Sequence, residues 1–363
     1  MSVREERVLS LDGLRGLGAL MVFLLHIDIM VLPFGERGGV PSLFPGSASV
    51  IVFFILSGIV LSLVPFKHMK DGGYDWLPYF PRRVVRLCVP LFTAIALGIV
   101  AGFVAWRIGS TSRSALAIAY DGGLQRVVHD ILMQFDVLFN ISDDGQNLFG
   151  ASLMRVNSPV WSMSWELWFS LTLPLAIWCV SRIRRTGLAL TAMFVAVFVS
   201  HWSGCFPLRL CLMFWVGVMV ARRFDEIGSL KISMPVEVAS IFLSLGIIEL
   251  ALVWHPGGVA EAMLATVMNV ACLAIVVVSI ADGFTRRALS TAPMLFLGKI
   301  SYSLYLTHAI LIGGLAALMP KLGMASPLAI AGVSLAACMA FAVLFWRVVE
   351  VPSIKMSRSL ANK

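Results

Sequence analysis

Leu9–Leu32, LSLDGLRGLGALMVFLLHIDIMVL, is an apolar run interrupted by Asp12, Arg15, His26 and Asp28. Its length is that of a helix able to cross the hydrocarbon core of a bilayer, which takes about 20 predominantly apolar residues. A charged side chain at membrane depth costs about 2.5–3.5 kcal/mol, so such residues face a protein interior or a watery cavity and mark a pathway or site. Eleven residues separate Arg15 from His26. At about 100° per residue they fall within about 20° of each other on the helix, about 16 Å apart along its axis. Asp12, Arg15, Ala19, Val22 and His26 therefore share one stripe. Gly13, Gly16 and Gly18 thin the helix beside it, which allows a neighbouring backbone or a ligand to come close.

Outward from this run, similar apolar stretches recur near 46–66, 87–106, 158–181, 187–203, 207–221, 233–254, 259–281, 294–319 and 326–349. The 363 residues are 59% hydrophobic and 13% charged, with a mean hydropathy of +0.91, which excludes an ordinary soluble domain. The pattern predicts an all-α, polytopic transmembrane helix bundle of about ten spans, one membrane-embedded domain over 1–363. MSVREER is short and of mixed charge, and no small-residue cleavage site follows the first run, which is therefore expected to be a retained span. With the N-terminus placed inside, eighteen of the 28 Lys and Arg residues fall in inner segments and seven in outer ones. That asymmetry predicts an even number of spans with both termini in the cytoplasm. The net charge of +8 comes from these short topological clusters, without interleaved aromatics, and nucleic acid is set aside as a partner. The six cysteines stand singly, with no CxxC pair and no zinc-like spacing, and read as apolar fillers; no metal is expected.

The longest connection, about 108–157, falls outside. Leu124, Val127, Val128, Ile131, Leu132, Phe135, Leu138 and Phe139 form a stripe at helical spacing within it, read as an amphipathic helix in the membrane interface, with a lid over an outward-facing site as the alternative.

No GxSxG elbow, phosphate loop, HExxH or HxxxxD is present, so polar residues inside the spans must carry any reaction. His26 is the first candidate, because imidazole can take a hydroxyl proton at neutral pH. Glu166, in SPVWSMSWELWF, is the second, counted to a depth comparable with His26 and able to orient its ring. In PRRVVRLCVP, Arg82 or Arg83 stands one helical turn from Arg86. Guanidinium forks there suit phosphates, while positive-inside anchoring explains the same residues without a ligand. GKISYSLYLTHAI crowds Lys299, Ser301, Tyr302, Ser303, Tyr305, Thr307 and His308 into one helix start. Ser301, Tyr305 and His308 share a face there that excludes Tyr302. Asp12, Tyr302, Tyr305 and His308 are the candidates to meet a substrate, and Glu350 is expected to pair with an arginine.

LDGLRGLGALMVFLLH, FFILSGIVLS, RRVVRLCVP, SPVWSMSWELWF, LGKISYSLYLTHAI and RVVEVPS follow the order and spacing of the acyltransferase-3 family of integral membrane acyltransferases, which the chain resembles over nearly its whole length. The resemblance implies transfer of an acyl group, usually acetyl from acetyl-CoA, to a hydroxyl of a carbohydrate or polyketide. It implies acyl-CoA as a co-substrate rather than a tightly bound cofactor, with membrane lipid as the other partner. Residue by residue, His26 matches the family's essential histidine, Arg15 its first-span arginine, Arg82 or Arg83 with Arg86 its basic motif, and Glu166 its usual acidic position. Phe169-Ser170 departs from the tyrosine or phenylalanine pair that commonly follows. Two mechanisms fit: a ternary complex with His26 as base, or an acyl-histidine relay. The rival class is a proton-coupled exporter of a glycan or small metabolite, which would also use buried Arg and His.

Overall fold

The computed structural model describes residues 9–32, 44–69, 73–107 and 157–360, which leaves the amphipathic stripe expected within 108–157 outside the described residues. Every one of the ten apolar runs is a helix. In chain order the helices are α1 (Leu9–Met30), α2 (Gly46–Met69), α3 (Tyr79–Arg107), α4 (Trp161–Arg182), α5 (Thr186–Trp202), α6 (Phe206–Arg222), α7 (Phe224–Gly228), α8 (Met234–Val253), α9 (Gly258–Ile280), α10 (Phe284–Leu289), α11 (Ala292–Leu318), α12 (Pro327–Phe345) and α13 (Val351–Ser359). Among the described residues, eight stretches are long and apolar enough to cross a membrane, while α5 and α6 have 17 residues each. Among the described residues there is no strand beyond a single parallel bridge between Lys231 and Asp282. The protein is an all-α, multi-pass membrane protein.

The chain divides into two compact units. The first comprises Met1–Val22, Pro45–Trp76 and Phe169–Ser301, and the second Phe23–Phe44, Leu77–Trp168 and Tyr302–Lys363. In the first, helices meet where glycine removes the side chain, because helix association in lipid depends on close packing rather than on the hydrophobic effect. A Cβ on Gly58 of α2 would overlap the carbonyl oxygen of Phe214 of α6, and one on Gly217 would overlap that of Ile55. The α1 glycines act in the same way: Gly13 lies against the Leu289 carbonyl, Gly16 against the backbone of Leu297 and Gly298, and Gly18 against the Phe53 ring. Both glycines at the α2–α6 crossing touch backbone, which cannot rotate away. Gly58→Ala is therefore expected to cost at least about 1–3 kcal/mol, the usual range for overpacking, read as a lower melting temperature of the detergent-solubilised protein; an unchanged melting temperature would contradict this crossing.

The rest of the unit is held by capped helix ends and ring packing. Phe169 stacks on Phe214, with centroids 4.8 Å apart, and meets Phe54 edge-on at 5.3 Å. Arg222 ties off the end of α4 by donating to the carbonyls of Val180 (2.6 Å) and Ile183 (2.5 Å). The wholly buried Glu237 accepts from the backbone N–H groups of Phe284 (3.0 Å) and Thr285 (2.7 Å) and from the Thr285 hydroxyl (2.7 Å). A carboxylate in that position satisfies the open N–H groups at the start of α10.

In the second unit, α3 packs against α13 and the π-helical turn Trp346–Glu350. Pro352 explains that turn. It has no N–H and its ring crowds the carbonyl four residues back, and just before it the helix widens, so that Val351 N–H reaches the Trp346 carbonyl instead. Glu350 sits at the last position of the widened turn.

Candidate active site

The second unit contains two tiers of polar side chains, organised along α11. Asn157-Ser158-Pro159 has the composition of a helix start, with a capping-type residue followed by proline in the first turn. The chain enters α4 through the 3₁₀ turn Ser158–Val160. Asn157 donates through Nδ2 to the Leu306 carbonyl at 2.7 Å, which seats this start against the fifteenth residue of α11. Tyr305 confirms the placement: its hydroxyl donates to the Pro159 carbonyl and contacts Ser162 Oγ, both at 2.7 Å.

The upper tier is formed by two imidazoles. His26, half-buried, and His308, fully buried, meet edge to face with ring centroids 4.8 Å apart at 71°. His308 Nδ1 lies 2.9 Å from the Leu304 carbonyl; since a carbonyl only accepts, Nδ1 carries the proton, and the lone pair of the neutral ring is on Nε2. Phe23 stands edge-on to the same ring at 6.2 Å, and Tyr305 lies 6.1 Å away.

The lower tier is ionic. Arg83 of α3 forms a salt bridge with Glu166 of α4, the two side chains being 13% and 15% exposed. Tyr302 donates to the Leu87 carbonyl at 2.9 Å and lies within electrostatic reach of Arg83, Glu166, Glu350 and Cys88. Glu350 accepts a hydrogen bond from Ser303 at 2.5 Å. Six residues of α11 separate Tyr302 from His308, so the tiers lie about 9 Å apart along its axis.

The expected site residues are thus distributed as follows. His26, Tyr305 and His308 come together in the upper tier, with Arg83, Glu166 and Tyr302 in the lower one. Tyr305 and His308 lie side by side, with ring centroids 6.1 Å apart, and Tyr302 finds a different partner in the Leu87 carbonyl. Arg82 folds back onto the turn just before α3, Nε donating to the Pro78 carbonyl at 2.6 Å, and Arg86 is exposed. Asp12 and Arg15 belong to the first unit, where they face each other at 3.5 Å. One expectation shifts. Asn157 rather than Glu166 stands at imidazole level, and Glu166 pairs with Arg83, nine positions and about 13 Å further along the helix. Glu350, expected to pair with an arginine, accepts from Ser303. Asn157 is absent from the candidates that the sequence suggests, and its signal was the Asn-Ser-Pro helix start. Among the described residues, no group of three or more His, Cys, Asp or Glu is arranged to hold a metal ion.

A family model described as an acyltransferase domain, Acyl_transf_3, matches residues 8–347. No curated protein and no solved structure matches the chain. The matched span takes in His26, His308 and the Arg83–Glu166 pair alike.

Proposed function

The chain belongs to the acyltransferase-3 family, and from that premise we propose that it transfers an acyl group, acetyl from acetyl-CoA, to a hydroxyl of a carbohydrate or polyketide at a bacterial inner membrane. A membrane acyltransferase needs a group that takes the acceptor proton, a means of holding the donor and a water-poor setting for both. His26 is the proposed base. Its ring nitrogen takes the hydroxyl proton as the oxygen attacks the thioester carbonyl; the C–O bond forms, the C–S bond breaks, and the proton returns from His26 to the CoA sulfur. Arg82, Arg83 and Arg86, at the start of α3, are the proposed contacts for the donor phosphates, with Arg15 for the arm that carries the thioester. Tyr302, Tyr305 and Asp12 are the further proposed substrate contacts.

Glu166 is proposed to act through Arg83. Its carboxylate fixes the guanidinium in a position where three nearby basic residues would otherwise repel one another. The observation that carries the whole reading is the family match over residues 8–347, which sets the transporter alternative aside and contains His26 and the arginines together.

The test uses purified protein in detergent, supplied with acetyl-CoA and membranes from cells lacking the protein as the acceptor source. Release of CoA thiol together with a mass gain of one acetyl unit on a glycan or secreted metabolite is the expected result. No thiol release, and no mass difference between cells with and without the protein, would refute the reading.

A further inference from the structure

We propose that His308 is the positioning residue for His26: as the acceptor proton is taken, the ring N–H of His26 closes onto the open lone pair of His308 Nε2, which selects the tautomer of His26 and steadies the imidazolium. The proposal rests on His26 being the base.

Four observations in the second unit lead to it. The two rings meet edge to face at 4.8 Å between centroids, close enough for a rotation of the half-buried His26 ring to bring an N–H onto His308. The Nδ1–H bond to the Leu304 carbonyl settles which nitrogen of His308 is the acceptor, so Nε2 presents a lone pair and not a proton. That Nε2 is buried and has no hydrogen-bond partner among the described residues, an arrangement that proteins tolerate where the atom has a function. The ring is also held in place, since Phe23 and Tyr305 flank it and Cys338 Sγ lies 3.8 Å from the His308 carbonyl on the far element.

Carboxylates hold the catalytic imidazole in many hydrolytic sites. Here the carboxylate of the matching sequence position is held by Arg83 about 13 Å further along the helix, and a second imidazole occupies the place beside His26. A neutral acceptor suits a membrane interior better than a carboxylate, because it brings no extra charge out of water. In the transfer itself His308 gains and loses no proton. It keeps Nδ1–H on Leu304 throughout and accepts a hydrogen bond from His26 while the acceptor proton travels to His26 and on to the CoA sulfur.

The test compares His308→Phe and His308→Gln in detergent, reading initial rates of CoA thiol release from acetyl-CoA with the same membrane acceptor. Phe keeps the flat shape and removes the acceptor, whereas the Gln amide oxygen can stand close to where Nε2 stands. His308→Phe is expected to lower kcat by about 10²-fold, the scale of losing an orienting partner, with KM for acetyl-CoA within about twofold. His308→Gln should recover at least about a tenth of the wild-type kcat, a loss of at most about 1.4 kcal/mol in transition-state stabilisation. Should the Phe variant fail to elute as a single species, His308→Leu replaces it. Equal losses with Phe and Gln, a wild-type rate with Phe, or a raised KM at unchanged kcat would each overturn the proposal. His26→Ala separates the two levels: if that variant is active, the base itself is misassigned, whereas an inactive His26→Ala beside a fully active His308→Phe removes only the role given to His308.

Discussion

His26→Ala is expected to abolish acyl transfer while leaving donor binding intact. A positioned general base contributes about 10²–10⁴-fold to a proton-transfer step, so kcat for CoA release should fall by at least about 10²-fold. The dissociation constant for acetyl-CoA, measured by calorimetry on the same preparation, should stay within about twofold, because the donor contacts are assigned to the arginines of α3 and to Arg15. The structure adds a reason to expect little damage to the fold. His26 is half-buried and lies near the end of α1, beyond the backbone crossings made by Gly13 and Gly16. Mass spectrometry of the intact wild-type protein, mixed with acetyl-CoA and no acceptor, discriminates the two chemical routes: an acyl-histidine relay leaves one acetyl unit on the protein and a ternary complex leaves none. A His26→Ala enzyme that transfers acetyl at the wild-type rate would eliminate both.

The helical architecture is legible because period and run length report directly on membrane spans. Each of the ten apolar runs is a helix, and the glycines of the opening run mark places of close approach, as their spacing suggests: Gly13 and Gly16 touch the backbone at Leu289 and Gly298. FFILSGIVLS has its physical explanation in the same terms, since Gly58 is where α2 and α6 cross with no room for a methyl group. Phe169, at the position that departs from the family's common aromatic pair, is a packing residue between Phe54 and Phe214.

Depth is not legible. Counting residues inward from the end of an apolar run assumes that every span starts at the membrane surface, whereas α4 starts beside Leu306, about 21 Å along α11. Such counting places Glu166 one tier too high. Arg83 is hard to read for a related reason. A basic residue at a helix start is most often an anchor in the headgroup region, and only the carboxylate arriving from another helix shows that Arg83 points inward. In sequence the histidine pair is two separate intramembrane histidines, because no spacing rule connects residues 26 and 308. Their meeting depends on the pairing of α1 with α11, which periodicity within one helix does not encode.

Separating Arg83 from Glu166 should produce the largest loss of stability of any single contact in the second unit. With side chains only 13% and 15% exposed, neither charge has water to fall back on, and removing one partner of such a pair costs about 3–5 kcal/mol. Glu166→Ala and Arg83→Ala are each expected to lower the melting temperature in detergent and to cut acyl transfer. Replacing both residues with methionine, which fills a similar volume without charge, should recover the melting temperature, since an apolar pair can match or exceed a buried ion pair in stability. Transfer should not recover with it, because Arg83 has been given the donor as well as the carboxylate to hold. In a double-mutant cycle on melting free energy with the alanine variants, a coupling of at least about 1 kcal/mol is expected for residues in contact. Additive losses would mean that the two charges stand together without supporting each other. Full activity in the double methionine variant would break the link between the ionic tier and the donor, leaving Arg82, Arg86 and Arg15 to bind it unaided.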